Sequence, residues 1–174
     1  MELCTVAFDH PDAQRLIAEV QQEYVQRYGG EDATPVDVSE FAAPQGTFVM
    51  GYLDGVAVAC GGWRAHEAGP EFTAGDAELK RMYVVPALRG RGLARVLLAE
   101  LERRAVAAGR RRLVLETGTR QPEAIALYTS SGYTEIPRFG MHRCAPQSRC
   151  FAKVLTAAAG AGGAAAERLR GRSG

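Results

Sequence analysis

A strand, a glycine-rich loop and an amphipathic helix follow one another without a break between residues 84 and 102. The apolar strand ends at Pro86, which has no N–H to donate to a strand ladder. The helix has one apolar stripe because its hydrophobic residues recur every three or four positions: Ala94, Leu97, Leu98, Leu101 and Ala105. The sequence therefore predicts a strand–loop–helix unit around which the rest of the chain is organised.

The start of that helix is suited to binding an anion. The first turn of a helix has N–H groups without internal partners, and the macrodipole adds partial positive charge there. Gly90 and Gly92 let the backbone approach a bulky anion, while Arg89 and Arg91 can donate charge-assisted hydrogen bonds. A phosphate or pyrophosphate is the predicted ligand, and a loop that only caps a core helix is the alternative.

Length and composition fit one ordinary globular domain. The 174 residues are 47% hydrophobic and carry a net charge of +1, so nucleic acid and anionic membranes are not expected as partners. The chain has neither a membrane-spanning apolar run nor the start of a signal peptide, and a cytoplasmic protein is expected. Residues 1–155 are predicted to form the domain and residues 156–174, rich in Ala, Gly and Arg, a flexible tail.

The four cysteines do not suggest a metal site, because they form no Cys-x-x-Cys pair and have no histidine at zinc-ligand spacing. No metal is therefore expected. Cys144 and Cys150 lie close to His142 in sequence, and a thiol with an imidazole could form a nucleophile and its base. Simple packing is the competing interpretation, since no group that would orient His142 is identifiable.

Patterns along the rest of the chain predict further strands and helices. Helices are expected to begin at Asp9 or Asp12, near residue 91 and at Pro122. Asp54-Gly55 predicts a two-residue hairpin turn. The predicted strands are residues 3–8, 47–53, 56–64, 76–85, 113–115, 133–136 and 149–155.

The strand at residues 76–85 has an irregular pattern. Leu79, Met82 and Val84 are the expected inward residues, but strict alternation from Leu79 would select positions 81 and 83 instead. A β-bulge near Lys80-Arg81 explains the shift and leaves backbone groups unpaired, which can hydrogen-bond an extended ligand that contains amides. An ordinary strand with an outward leucine is the alternative.

Three motifs in order resemble the GCN5-related N-acetyltransferase (GNAT) family. Arg89-x-x-Gly92-x-Ala94 is similar to the signature Gln/Arg-x-x-Gly-x-Gly/Ala, which in that family holds the pyrophosphate of acetyl-CoA. Residues 78–86 and 113–117 resemble its fourth and fifth strands. The downstream segment is Gln121-x-x-Ala124-x-x-Leu127-Tyr128-x-x-x-Gly132-Tyr133. The resemblance covers roughly residues 47–155 and implies an α/β (α+β) GNAT fold, with a strongly bent mixed sheet of six or seven strands and helices on both faces.

The resemblance implies an N-acetyltransferase that uses acetyl-CoA as co-substrate. In that family the fourth-strand backbone pairs with the pantetheine arm, here at Met82, Tyr83 and Val84. The pyrophosphate would be held by the loop and helix start: Arg89, Gly90, Arg91, Gly92, Leu93 and Ala94. Gln121 stands where the family usually has asparagine, so its cofactor contact is left open. Tyr128 matches the tyrosine that protonates the departing thiolate, and a core aromatic is the alternative.

Acyl transfer to an amine also needs a base, because a substrate ammonium has a pKa of about 10. Glu78 matches a frequent position of that base in the family, and Glu116 on the neighbouring strand is its rival. A salt-bridged carboxylate is the competing interpretation for each.

The expected acceptor is a primary amine of a small molecule. It would attack the acetyl thioester directly in a ternary complex, because no cysteine that could form an acyl-enzyme lies in the matched cofactor segments. A protein N-terminus or lysine is the alternative acceptor, and a non-catalytic acyl-CoA-binding module is the alternative function. The resemblance also leaves a homodimer open. The acceptor would lie among residues 31–44, 66–75 and 137–147, and its carboxylate could be recognised by Lys80, Arg81, Arg138 and His142.

Overall fold

The computed structural model describes residues 1–156, so the predicted tail beyond Thr156 lies outside the described residues. Three α-helices occur in this part: α1 (Pro11–Tyr28), α2 (Leu93–Ala107) and α3 (Pro122–Ser130). The strands are β1 (Glu2–Thr5), β2 (Gly46–Leu53), β3 (Val56–Ala65), β4 (Asp76–Val84), β5 (Arg112–Gly118), β6 (Thr134–Ile136) and β7 (Ser148–Val154). Among these residues, no helix is both long and apolar enough to cross a membrane.

The seven strands form one mixed sheet in the order β1-β2-β3-β4-β5-β7-β6. β4 and β5 are parallel, and their pairing ends at Glu78 opposite Val114. β5 nevertheless stays paired with β7 as far as Gly118, which lies opposite Ser148. The two parallel strands therefore diverge after their first three pairs, and a wedge opens between them at the centre of the sheet.

Helices cover both faces of the sheet, as predicted. On one face Leu16 and Val20 of α1 are buried with an aromatic cluster of Phe8, Phe41 and Phe48. On the other face α2 and α3 pack over a second core. Of the stripe predicted for α2, Ala94 is half-buried and the other residues are buried. Each of its leucines contributes about 1.5–3 kcal/mol through the area it removes from water: Leu97, Leu98 and Leu101.

Local sequence patterns predicted the hairpin turn correctly but not the N-cap of α1. Asp54 and Gly55 have φ angles of 49° and 77°, which are the left-handed values that a two-residue hairpin turn requires. The expected N-cap of α1, Asp9 or Asp12, is wrong. The cap is His10, whose Nδ1 accepts a hydrogen bond of 3.2 Å from the backbone N–H of Asp12. An imidazole nitrogen thus replaces the usual oxygen acceptor of a cap.

The β-bulge predicted in β4 is confirmed. Cys60 of β3 lies opposite Tyr83, whereas Gly62 lies opposite Lys80, so the register shifts between them. Arg81 sits in the extra position with a φ of 57°, a conformation that non-glycine residues adopt uncommonly. The bulge lies where β4 leaves β5, and it forms one wall of the wedge.

Candidate active site

A cavity occupies the wedge between β4 and β5. Its walls come from the β4 bulge, the second half of β5, the end of α1 with the loop that follows, α3, and the segment before β7. Four of the predicted site residues meet here: Met82, Glu116, Gln121 and Tyr128. Among the described residues, Glu78, Tyr83, Val84 and the loop at positions 89–94 do not line this cavity.

The loop before α2 has the open backbone expected of an anion site. Gly90 and Gly92 have φ angles of 77° and 78°, and no atom lies within 4 Å of the place a Cβ would take. The first hydrogen bonds of the helix are those of Arg95 and Val96, which both donate to the Gly92 carbonyl at 3.1 Å. Within residues 1–156, the N–H groups at positions 90–94 donate to no protein acceptor, and they remain free for a ligand.

The Arg89 side chain is engaged by the protein itself. Its Nε donates to the Val84 carbonyl at 2.8 Å, and its guanidinium lies 5.3 Å from the centre of the Tyr83 ring. The guanidinium also forms an ion pair with Glu23 of α1. Arg89 therefore fastens the loop to β4 and α1, whereas Arg91 is exposed.

Tyr128 lies on α3 with its ring buried beside Tyr133, at a centroid distance of 5.6 Å. Burial raises the pKa of the Tyr128 phenol, so its hydroxyl stays protonated near neutral pH. No hydrogen bond joins that hydroxyl to another group within the described part of the chain. The phenol is thus a neutral donor in the cavity wall.

Glu116 is one of three carboxylates that line the cavity, together with Glu31 and Asp32. Ser148 Oγ donates a hydrogen bond of 2.7 Å to its Oε1. Burial raises the pKa of Glu116 above its ordinary value, although the Ser148 hydrogen bond and the nearby His142 oppose the shift. A carboxylate with a raised pKa is a stronger base than an exposed one.

Glu78 is held in a different environment, with its side chain 5% exposed behind the cavity wall. It accepts hydrogen bonds from Arg64 Nε at 3.0 Å and His66 Nε2 at 2.8 Å, and Lys80 Nζ lies 2.9 Å from its other oxygen. Burial alone would raise the pKa of Glu78, but these three partners lower it to about 2. A carboxylate so strongly stabilised has little tendency to take a proton near neutral pH.

Gln121 precedes α3 and donates from Nε2 to the Tyr28 hydroxyl at 3.2 Å. The same hydroxyl lies 2.2 Å from where a Cβ on Gly118 would be, so only glycine allows this approach of α1 to β5. The sequence pattern of α1 gave no sign that Tyr28 belongs to the site, because its partner is 93 residues away.

Two of the three loops expected to hold the acceptor line the cavity. Glu31 and Asp32 come from the first, and His142 comes from the last. Among the described residues, positions 66–75 contribute nothing to the lining, and neither does Arg138, which donates to the Ala145 carbonyl. His142 Nε2 lies 3.4 Å from Asp32 Oδ1, so its partner among residues 1–156 is a carboxylate and not a thiol.

Comparisons with known proteins show the family of the chain. Residues 9–133 match the model of the acetyltransferase (GNAT) family. The IAA acetyltransferase of Azospirillum brasilense is 34% identical over 141 residues, which cover 81% of this chain and 89% of that protein.

Solved structures give the same result. A crystal structure from Klebsiella pneumoniae, provisionally assigned as an acyl-CoA N-acyltransferase, superposes with a TM-score of 0.72 at 30% identity, covering 89% of this chain and 97% of that one. Aminoglycoside 6'-N-acetyltransferase in complex with coenzyme A has a TM-score of 0.64 at 15% identity, covering 91% of this chain and 99% of that one, which shows a shared fold alone.

Proposed function

Because this chain belongs to the acetyltransferase (GNAT) family, we propose that it moves an acetyl group from acetyl-CoA to a primary amine of a small molecule, by direct attack in a ternary complex. One observation carries the proposal: β4 and β5 diverge, and the cavity between them has Glu116 on one wall and Tyr128 on another. A base and an acid thus face the same space, and the loop before α2 is suited to a pyrophosphate.

The residues present fit acetyl-CoA. The unpaired N–H groups at positions 90–94 can bind a pyrophosphate, with the exposed Arg91 beside them. Beyond Glu78 the edge of β4 that faces β5 has no strand partner in the described part of the chain, and an extended amide chain can pair with such an edge, at Met82 to Val84. When bound, acetyl-CoA supplies an acetyl group activated as a thioester.

The side chains in the cavity account for the proton movements of the transfer. A bond forms between the amine nitrogen and the acetyl carbon, and the bond between that carbon and sulfur breaks. Glu116 takes the proton that the amine loses, and Tyr128 gives a proton to the departing thiolate. Backbone N–H groups of the β4 bulge polarise the acetyl carbonyl. Departure of the thiolate with help from solvent is the alternative to the Tyr128 step.

A contact between two loops at the cavity favours a small acceptor over a protein segment. Asp32, in the loop after α1, contacts His142, in the segment before β7, and both line the cavity. This contact joins two loops beside the space the acceptor would occupy. Acetylation of a protein N-terminus or lysine would require them to separate.

The proposal is tested by binding and turnover together. CoA and acetyl-CoA should raise the melting temperature, since a ligand at about a hundred times its Kd adds roughly 2.7 kcal/mol of stability, while ATP and NAD should not. Thiol release from acetyl-CoA should then depend on an added amine, with the acetylated amine identified by mass. Absence of both the shift and the release would refute the acetyl-CoA proposal.

Gly92→Ala is expected to weaken CoA binding by about tenfold or more, because a Cβ at this left-handed position strains the loop and obstructs a phosphate. Gly109→Ala is the matched control, since Gly109 has a φ of 75° and equally open surroundings at the far end of α2. Both variants should lose about 1 kcal/mol of stability. Calorimetric titration with CoA should separate them, and equal affinities would remove the loop from the cofactor site.

Tyr128→Phe is expected to lower kcat by about 10–100-fold while the KM for acetyl-CoA changes little, because only the proton donor is lost. Tyr133→Phe is the control: it removes a hydroxyl from the neighbouring buried ring, which does not line the cavity. Steady-state thiol release measures both variants. An unchanged kcat in Tyr128→Phe would leave the thiolate to solvent.

A further inference from the structure

Two walls of the cavity carry buried polar groups that have no hydrogen-bond partner within the described residues. Arg81, at the β4 bulge, has a side chain 5% exposed, and its Nε has no partner within residues 1–156. Thr117 of β5 also lines the cavity, and its buried Oγ1 likewise lacks a partner there. Buried polar groups are nearly always hydrogen-bonded. Two such groups beside one cavity indicate a ligand that brings acceptors.

Lys80 adds a second buried cation to the β4 wall. Its side chain is 8% exposed and lines the cavity next to Arg81. Its Nζ lies 2.9 Å from Glu78 Oε1, which engages one of the three N–H donors of an ammonium group. Two adjacent cations with donors to spare fit an anionic group on the ligand.

The carboxylates near these cations are each shared. Asp32 pairs with Arg81 and also contacts His142. Glu78 is shared by Lys80 and two other basic side chains. Because no carboxylate within residues 1–156 pairs with Lys80 or Arg81 alone, both cations retain the capacity to hold a further anion.

We propose that the acceptor is an amine that also carries a carboxylate, an amino acid or a close analogue, whose carboxylate is bound by Lys80 and by Arg81 Nε. The inference rests on the proposed function and names its substrate class. The amine then faces Glu116, which lines the same cavity on the neighbouring strand. A carboxylate is planar and small, and its two oxygens accept from a guanidinium and an ammonium together.

The test compares acceptors that differ in one group. A panel of L-amino acids is screened by thiol release, and the best one is compared with its carboxamide and with the amine that lacks the carboxyl group. The acid should have a kcat/KM about a hundredfold higher than either analogue, because buried donors stay unpaired when the carboxylate is missing. O-phosphoethanolamine serves as the phosphate-bearing arm, and a preference for it would overturn the carboxylate assignment.

Arg81→Lys provides the matched variant, since it keeps a cation for Asp32 but lacks the Nε donor. Its kcat/KM should fall about tenfold for the acid and stay the same for the amine without a carboxyl group. Thr117→Val is isosteric and removes the hydroxyl, unpartnered within the described residues, that lines the same cavity. Should Arg81→Lys fail to fold, kcat/KM of Thr117→Val for the acid and for the amine without a carboxyl group is measured in its place. Arg138→Lys, at an exposed position outside the cavity, should behave as wild type.

The inference is overturned if the acid and its analogues are used within threefold of one another, or if Arg81→Lys slows all of them equally. It is also overturned if CoA binds in calorimetry and only amines without a carboxylate are acetylated. A protein that neither binds CoA nor acetylates any amine would instead contradict the proposed function itself.

Discussion

Glu116→Gln is expected to reduce the rate of acetyl transfer by about 10²–10⁴-fold while leaving the protein folded. The variant keeps the size of the side chain and an oxygen for the Ser148 hydroxyl, which donates to Glu116 at 2.7 Å, but it cannot accept a proton. Its stability should match or exceed that of wild type, since burial disfavours the carboxylate and so raises the Glu116 pKa. Steady-state kinetics and a thermal melt measure the two effects.

The role proposed for Glu116 also predicts how kcat/KM changes with pH. As the proposed base, Glu116 must be ionised to accept a proton, so the wild-type kcat/KM should fall as the pH drops through its pKa. That pKa lies above the ordinary value because of burial, so the fall should come at a higher pH than for an exposed glutamate. This fall in kcat/KM at low pH should be absent in Glu116→Gln. Glu135→Gln, at an exposed position of β6, is the control, and a loss under threefold in Glu116→Gln would exclude Glu116 as the base.

Glu78→Gln is expected to lower the free energy of unfolding by about 3–5 kcal/mol, because it leaves buried cations without their shared counter-charge. Arg64 and Lys80 would lose the carboxylate that lies 3.0 Å and 2.9 Å from them. The folded fraction should keep a kcat within a few-fold of wild type, since Glu78 does not line the cavity. Urea denaturation and kinetics well below the melting temperature separate the two effects.

The linkage of stability to pH follows from the direction of the Glu78 shift. The folded-state pKa of about 2 lies below the ordinary glutamate value of about 4.5, so ionised Glu78 stabilises the fold above about pH 4.5. That contribution is lost as the pH falls towards 2. Wild type should therefore lose more stability across this window than Glu78→Gln, with the exposed Glu67→Gln following wild type. A Glu78→Gln protein that is stable but a hundredfold slower would restore Glu78 as the base.

These two variants separate roles that the sequence left open. Glu78 and Glu116 lie on neighbouring parallel strands, and each has the residue type that a base requires. Strand pairing ends at Glu78, so Glu116 lies in the part of β5 that has left β4. The divergence decides which carboxylate meets the cavity, and it has no signature in a single strand.

The features that the sequence determined by itself are local ones. The Asp54-Gly55 turn, the β4 bulge and the apolar stripe of α2 each depend on residues within a few positions of one another. Backbone sterics and hydrophobic periodicity act over that range, so these patterns could be interpreted without any knowledge of the fold. The strand–loop–helix unit was predictable for the same reason.

The chemistry of individual side chains was decided by the tertiary structure. Arg89 pairs with Glu23, 66 residues away, and His142 contacts Asp32 across 110 residues. The pKa of each glutamate likewise depends on burial and on charges brought from other elements, which lower it for Glu78 and leave it raised for Glu116. Residue types and spacing therefore predicted the kind of site, whereas desolvation and long-range ion pairs, which arise only on folding, determined which residues are placed to act in it.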